Sequence, residues 1–525
     1  MRFLLSVCLL LAAGHATAVD LVLHNGRVWT GDHATPSASA IAIEGERIVA
    51  IGDDTSMLAL AGVQTQRIDL KGRRVVPGIN DAHVHLGASA PSTALQLPFP
   101  EPTTEQVIAA LRAQSKDGDG WITGNLGGAA FADRALDRGR LDTLHPQRPV
   151  RLVSWSGHGT ILNTAAQRAL AVDPAVAVPG GWYGRNATGV FDGRLYEYAQ
   201  WRNHYLQPAL PDEAEIAALR GFSRQAAQFG ITSVQVMAMM PPERFIALWQ
   251  RAAPAQRLRL IRMPLDSAPG AVVAGAASPL AAESAQLRVS GTKWILDGTP
   301  IEQGAAVRAP YPGTQAHGRL NFSRAEIEAL LREILARDDH ALLHIAGDAT
   351  AATVLDAMQA ISPASQWRAK RLRFEHGDGL VANLLPRARA FGVVVVQNPS
   401  HFTVASPFLP VPPLLSGFLD AEIPLAIGSD GPLHPWLNMQ WAQELPSSPG
   451  QGLSREQTLA AYTAGSAYAE FSEADKGKLV AGFYADLAVL SQDVLDAKLP
   501  TQALPGTSSL LTLIGGKIAW RDPAF

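Results

Sequence analysis

Cysteine is nearly absent: one, Cys8, occurs in 525 residues, and it lies in an N-terminal apolar stretch read below as a cleaved leader. A mature chain without thiols has no disulfides, no Cys-ligated zinc, no iron–sulfur cluster and no cysteine nucleophile. Charge of one sign is lacking as well. Lys and Arg total 44 against 47 Asp and Glu, a net charge of −3, so no basic field is available to hold nucleic acid. Only 17% of residues are charged while 47% are hydrophobic, which excludes a disordered chain and supplies a large core. After the leader no long apolar run escapes interruption by charge, Pro or Gly, so no membrane span is expected in the mature form. A Gly-x-Ser-x-Gly elbow is missing, which removes the serine-hydrolase signal. The Gly-rich piece Asn125-Leu126-Gly127-Gly128 reads as lacking the strand–helix context of a phosphate loop.

The leader itself, MRFLLSVCLLLAAGHATA, carries Arg2 before an apolar run from Phe3 to Ala13 and ends in the small-x-small pattern Ala16-Thr17-Ala18. That run is too short to cross about 30 Å of hydrocarbon. The expectation is a signal peptide over residues 1–18, a mature N-terminus at Val19, and a soluble exported protein, periplasmic or secreted.

From Asp20 to Val76, short β runs alternate with turn residues, among them Asn25-Gly26 between LVLH and RVWTG, which reads as a hairpin. The same texture returns in ADLAVL and in SLLTLI-Gly515-Gly516-KIAW. Two β-rich ends around a different middle predict one small β-sandwich built from residues 19–77 and 476–525. The middle, 78–475, alternates β-like runs with helical stretches such as RAEIEALLREILAR. Its candidate strands are Ala82 to Leu86, Thr232 to Val236, Arg257 to Met263, Thr292 to Leu296, Ala341 to Ile345, Leu372 to Glu375, Val393 to Gln397 and Pro424 to Ile427. Eight strands alternating with helices predict an α/β fold, a (β/α)8 TIM barrel. The stretch at about 87–228 then becomes a long insertion after the first strand, too long for a plain loop and expected to form a lid or subdomain.

Pro77-Gly78-Ile79-Asn80-Asp81-Ala82-His83-Val84-His85 carries the chemistry. Histidines at i and i+2 on a strand share a face, so both imidazoles reach one metal ion at the strand end. Lys293, His344, His376 and Asp430 fall at the ends of the fourth, fifth, sixth and eighth candidate strands, where a TIM barrel places catalytic groups. His340 reads as a surface residue. His401 and His434 follow the seventh and eighth strands and read equally well as pocket lining or as plain loop residues. Trp155, Trp182, Tyr183 and Trp294 are read as core aromatics rather than substrate platforms.

VPGINDAHVHL, GITSVQ, GTKWILDG, LLHIAGD, RFEHGD, AIGSDGP and KGKLVAGFYADLAVL together resemble the amidohydrolase superfamily, and within it the amidohydrolase family 3 group that includes N-substituted formamide deformylase. The resemblance implies that His83 and His85 bind the more buried of two divalent ions with Asp430. It implies that Lys293, carboxylated on its amine, bridges the two ions, that His344 and His376 hold the second, and that His158 of the pair Gly157-His158 orients the substrate carbonyl. Asn80 departs from the pattern, standing where many relatives carry an apolar residue. Asp430 and His376 are the catalytic candidates. A donor set of N and O suits zinc or a similar divalent ion. Such ions activate a water as nucleophile, while Asp430 takes its proton and passes it to the leaving nitrogen. The expected activity is hydrolysis of a non-peptide or N-acyl C–N bond in a small molecule. A mononuclear deaminase, or an esterase or lactonase, on the same fold is the alternative, with Lys293 an ordinary lysine, for which Asp297 is the candidate salt-bridge partner. A non-catalytic binding protein would have no need of these ligands, and a homodimer is the default assembly.

Overall fold

The computed structural model describes residues 19–525 apart from 88–90, 118–119, 207–209, 268, 270–283, 338, 403–413 and 447. The expected signal peptide therefore lies outside the described residues.

Eight parallel strands in sequential order form a nearly closed barrel: β1 (Ile79–Val84), β2 (Ile231–Met237), β3 (Arg257–Arg262), β4 (Leu287–Ile295), β5 (Ala341–Ile345), β6 (Arg373–His376), β7 (Val394–Gln397) and β8 (Leu425–Ile427). The expected TIM barrel is borne out. Runs such as Val394-Val395-Val396 are buried along their whole length, as strands covered on both faces must be. Between them stand helices with one apolar stripe. Arg324–Ala336 starts at a Ser323/Glu326 capping box and buries Ile327, Leu330, Leu331 and Ile334, an i, i+3, i+4, i+7 pattern. At the seam where β8 returns to β1, the Asp430 N–H donates to the His83 carbonyl and the Ser429 N–H to the Asp81 carboxylate, each at 2.9 Å. A side chain at Gly428 would lie 2.4 Å from the His83 backbone nitrogen, so only glycine lets the seam close.

The lower barrel interior is polar. Gln235, Arg259, Arg373 and Glu375 are buried there. His340 belongs with them, which corrects its reading as a surface residue. Its Nδ1 accepts from Arg259 at 2.8 Å and its Nε2 donates to the Arg371 carbonyl at 2.7 Å. An arginine holds only donors, and this fixes the tautomer. Asn80 joins the same interior, donating to Glu470 at 2.6 Å.

The two ends of the chain build two facing sheets. One is four-stranded, in the order Arg47–Gly52, Ala40–Glu44, Leu21–His24, Gln66–Asp69; the other is six-stranded, in the order Lys517–Arg521, Ser509–Ile514, Leu487–Leu490, Arg74–Pro77, Arg27–Trp29, Ser37–Ala38. Leu23, Ile41, Ile43, Val75, Leu487, Leu511 and Leu513 fill the space between them. Asn25-Gly26 is not a hairpin turn. Leu21–His24 and Arg27–Trp29 pair in different sheets, and Asn25 at φ 58° sends the chain from one layer to the other. The local signal marked a left-handed turn correctly, but tertiary pairing decided which strands met.

Between β1 and β2 the insertion forms its own six-stranded sheet, ordered Gly181–Arg185, Phe191–Glu197, Gly159–Leu162, Val150–Ser154, Trp121–Leu126, Ser92–Ala94. A separate core that includes Leu111, Ile122, Phe131, Leu141 and Leu152 supports it. Contrary to expectation, Gly127 does join a strand to a short helix, Gly128–Ala132. The N–H groups of Gly128 and Ala129 are already taken by the Glu101 carboxylate, at 3.0 and 3.3 Å, so the anion at that turn is the protein's own.

Candidate active site

At the C-terminal end of the barrel, six of the expected residues face one cavity of about 250 Å³: His85, His158, Lys293, His344, His376 and Asp430. His83 lies beneath them, fully buried. Strand alternation aims Arg373 and Glu375 of β6 inward together. His376 follows Glu375 directly and would point away, but its φ of 67° turns it back toward the centre. Asp430, at φ 33°, is bent similarly after β8. Left-handed backbone at non-glycine residues costs free energy, and both instances here sit at the same site.

The tautomers of the rings can be derived. Glu375 lies 2.7 Å from His83 Nδ1. Burial raises the pKa of that carboxyl, but Arg373, His83 and Lys293 together outweigh it and hold it at about 2. An ionised carboxylate only accepts, so His83 Nδ1 carries the proton and Nε2 is a bare lone pair. That Nε2 lies 3.0 Å from Lys293 Nζ and 3.7 Å from an Asp430 oxygen. His85 donates from Nδ1 to the Met237 carbonyl at 2.9 Å, which frees its Nε2, 3.6 Å from the other Asp430 oxygen. His376 Nδ1 meets the Asn398 side-chain oxygen at 2.8 Å, while the Asn398 amide nitrogen donates to the Gly428 carbonyl. Its Nε2 is free in the same way.

These donors fit a divalent ion. Ligands about 2.0–2.2 Å from a tetrahedral centre stand about 3.3–3.6 Å apart, close to the spacing of His83 and His85 from Asp430. His83, His85 and Asp430 form one group whose donor atoms lie within 4.8 Å of one another; His376, His401 and Asp430 form a second. His344 Nε2 is buried with no hydrogen-bond partner among the described residues, a lone pair or N–H that a bound ligand would satisfy. Its ring stands between those of His376 and His158, with centroids at 4.4 and 4.7 Å.

Burial depresses the Lys293 amine below its ordinary pKa, though Asp430 and Glu375 oppose this. Lys293 does not pair with Asp297. The Asp297 carboxylate is filled by N–H groups of Ala306, Ala346 and Gly347 and by the Thr350 hydroxyl. Across the cavity, His158 Nδ1 sits 3.1 Å from both Glu197 oxygens, and the ring packs edge-on against Trp201. Trp201 Nε1 in turn donates to the Gly157 carbonyl at 3.0 Å. Burial lowers the His158 pKa, but Glu197 outweighs it and the net shift is upward.

Of the two undecided histidines, His401 reaches the site, with Nε2 3.4 Å from Asp430. His434 does not. It accepts from the Leu437 N–H at the start of helix Pro435–Gln443 and packs on Phe229. None of Trp155, Trp182, Tyr183 and Trp294 lines the cavity; Trp201, Met239, Met263 and Arg151 do.

Residues 66–519 match the sequence profile of the amidohydrolase family. The chain belongs to that family. This amidohydrolase is 26% identical over 522 residues to N-substituted formamide deformylase of Arthrobacter pascens, covering 91% of this chain and 94% of that protein. It is 25% identical over 549 residues to LONG AFTER FAR-RED 3 of Arabidopsis thaliana, covering 95% and 91%. Among solved structures, an uncharacterized metal-dependent hydrolase from Pyrococcus horikoshii shares the fold, with a TM-score of 0.68 at 20% identity over 91% of this chain and 98% of that one.

Proposed function

We propose that this amidohydrolase hydrolyses a carbon–nitrogen bond in a small amide, N-acyl or cyclic amide compound. The observation that carries the reading is the convergence of His83 and His85, their Nε2 lone pairs freed by Glu375 and Met237, on Asp430 in one cavity. Support for the bond type comes from family membership and from the named activity of the deformylase relative. His83, His85 and Asp430 would hold one divalent ion, zinc or similar, and Lys293, His344 and His376 the second. When bound, such ions lower the pKa of water and draw electron density from a carbonyl oxygen.

The chain supplies the remaining steps. Asp430 accepts the proton of the attacking water and returns it to the leaving nitrogen, which an amide requires because amine anions leave poorly. His158, anchored by Glu197, presents its ring across the cavity and orients the carbonyl. Lys293, its neutral amine favoured by burial, adds to carbon dioxide through a new N–C bond and gives up one N–H proton to solvent, and the resulting carbamate anion removes the repulsion an ammonium would exert on two cations. The apolar wall of Trp201, Met239 and Met263 excludes water from the bond being cleaved. We further propose export of the protein after cleavage at Ala18; N-terminal sequencing that returned Met1 from exported protein would overturn this.

The direct test is a panel of formamides, N-acyl amines, N-acyl amino acids and cyclic amides. It is assayed with metal-loaded protein, with and without chelator, beside ester and lactone controls. Turnover of a C–N substrate that is lost on chelation supports the reading. Turnover of esters alone, or turnover indifferent to chelation, overturns it.

A further inference from the structure

The loop after β7 brings a fourth imidazole to Asp430. His401 lies in the short helical turn Pro399–Phe402, and its Nε2 is 3.4 Å from the Asp430 oxygen that also faces His83 Nε2; the His376 ring lies beside the same oxygen, with the Nδ1 that donates to Asn398 3.9 Å from it. Its ring is 5.0 Å from that of His376. Donor atoms of His376, His401 and Asp430 all lie within 4.8 Å of one another.

Two accounts of His401 compete. As a simple hydrogen-bond partner of Asp430, its nitrogen should lie at about 2.7–3.2 Å. The observed 3.4 Å admits a long hydrogen bond, and it also falls at the spacing of two ligands on one tetrahedral ion, about 3.3–3.6 Å. His344 is placed differently. Its ring neighbours are His376 and His158, and it belongs to neither group of donors around Asp430.

The turn that carries His401 is also held rigidly. Asn398 accepts from His376 Nδ1 and donates to the Gly428 carbonyl, and the Ser400 hydroxyl donates to the Ser429 carbonyl at 3.0 Å. The His401 N–H closes the turn on the Asn398 carbonyl at 2.9 Å. One short segment thus fixes the tautomer of His376, braces the strand end that bears Asp430, and aims His401 between them. Outer contacts that orient ligating residues in this way are the usual support of a metal site.

We infer that His401 is a metal ligand, holding a divalent ion together with His376 and the shared oxygen of Asp430. The inference rests on the metal-dependent reading above and adds, from the turn after β7, a ligand that the sequence left open between pocket lining and plain loop.

The test is cobalt(II) titration of the full chain, read by calorimetry and visible absorption, for wild type, His401→Ala and His401→Gln. Both variants should bind one equivalent at least about tenfold more weakly than wild type, with an altered visible band. The equivalent on His83 and His85 should persist and report that the fold is intact. Wild-type stoichiometry, affinity and spectrum in both variants would overturn the assignment of His401 alone. A wild-type chain that takes up no cobalt would instead overturn the metal-dependent reading from which the assignment starts.

Discussion

Glu375 holds His83 through a 2.7 Å contact to Nδ1 while its two oxygens take hydrogen bonds from Arg373 at 2.7 and 3.1 Å. The carboxylate therefore links a proposed metal ligand to a fully buried guanidinium. Glu375→Gln keeps an acceptor for His83 but loses the charge, and metal affinity should fall about 10–100-fold. Equilibrium dialysis against a graded chelator series measures this. Retention of metal at wild-type affinity would mean that Glu375 serves Arg373 only.

Asp430→Asn keeps the backbone bond to His83 but cannot carry a proton. The expected result is a fall in kcat of about 10²–10⁴ with KM little changed, provided metal analysis shows the ions retained. A loss shared equally between kcat and KM, with metal content reduced, would assign Asp430 to ligation alone.

Lys293→Ala should lose turnover and release at least one ion. Added short-chain carboxylates should restore part of the activity, because they supply the oxygens that the carbamate provides. Activity in Lys293→Ala equal to wild type would favour the mononuclear alternative.

His158 depends on Glu197, which is itself held at φ 55° and also accepts from Asn321 at 3.0 Å. Glu197→Gln should lower kcat by about tenfold or more while leaving metal content unchanged, since the ring loses its charged anchor on the substrate side of the cavity. If the same substitution changes only thermal stability, Glu197 is structural.

Acid sensitivity should trace in part to Glu470, which is buried beside Lys476 at 2.7 Å and accepts from Asn80. Burial raises the pKa of that carboxyl, but Lys476 and Arg259 outweigh it and the folded value lies below the ordinary one. A lowered folded pKa gives stability that is present above the unfolded pKa and is lost as pH falls through the folded value. Glu470→Gln, which leaves the half-buried Lys476 with the Ser233 hydroxyl but without its carboxylate, should therefore cost about 1.5–3 kcal/mol near neutrality, a gap that narrows below about pH 4.5. Thermal melts of both proteins from pH 3 to 7 follow it. A gap independent of pH would remove the ionic contribution.

The barrel was legible because its signals are local. Each strand is a short apolar run, and the helices repeat at 3.6 residues, so six of the eight strands start within a residue of their expected positions, and the fourth starts five residues early, at Leu287 rather than Thr292. The first begins earlier, at Ile79 rather than Ala82, because it pairs with β2 from Gly230 onward. His83, His85, Lys293, His344, His376 and Asp430 were visible because they end strands. Glu375, Asn398 and Glu197 were not. Their importance lies in which imidazole nitrogen they meet, and those partners are 292, 22 and 39 residues away in sequence. Glu375 had one usable signal, its place two residues after Arg373 on the same strand face. His340 was misread for a related reason: its partner Arg259 comes from another strand, and nothing next to it in sequence announces burial.

The antiparallel pairing of Arg74–Pro77 with Leu487–Leu490 has a consequence for how this chain is made. Pro77 leads through Gly78 into Ile79, so the first barrel strand grows directly from a sandwich strand whose inner partner emerges some four hundred residues later. Until then, Val75 and Val76 present an open apolar edge, the kind of surface through which nascent chains stick to one another. The ribosome must release nearly the entire polypeptide before this edge is covered. Synthesis and self-association thus compete throughout translation, and a truncation anywhere short of Leu490 would leave the first strand of the catalytic barrel without its anchor.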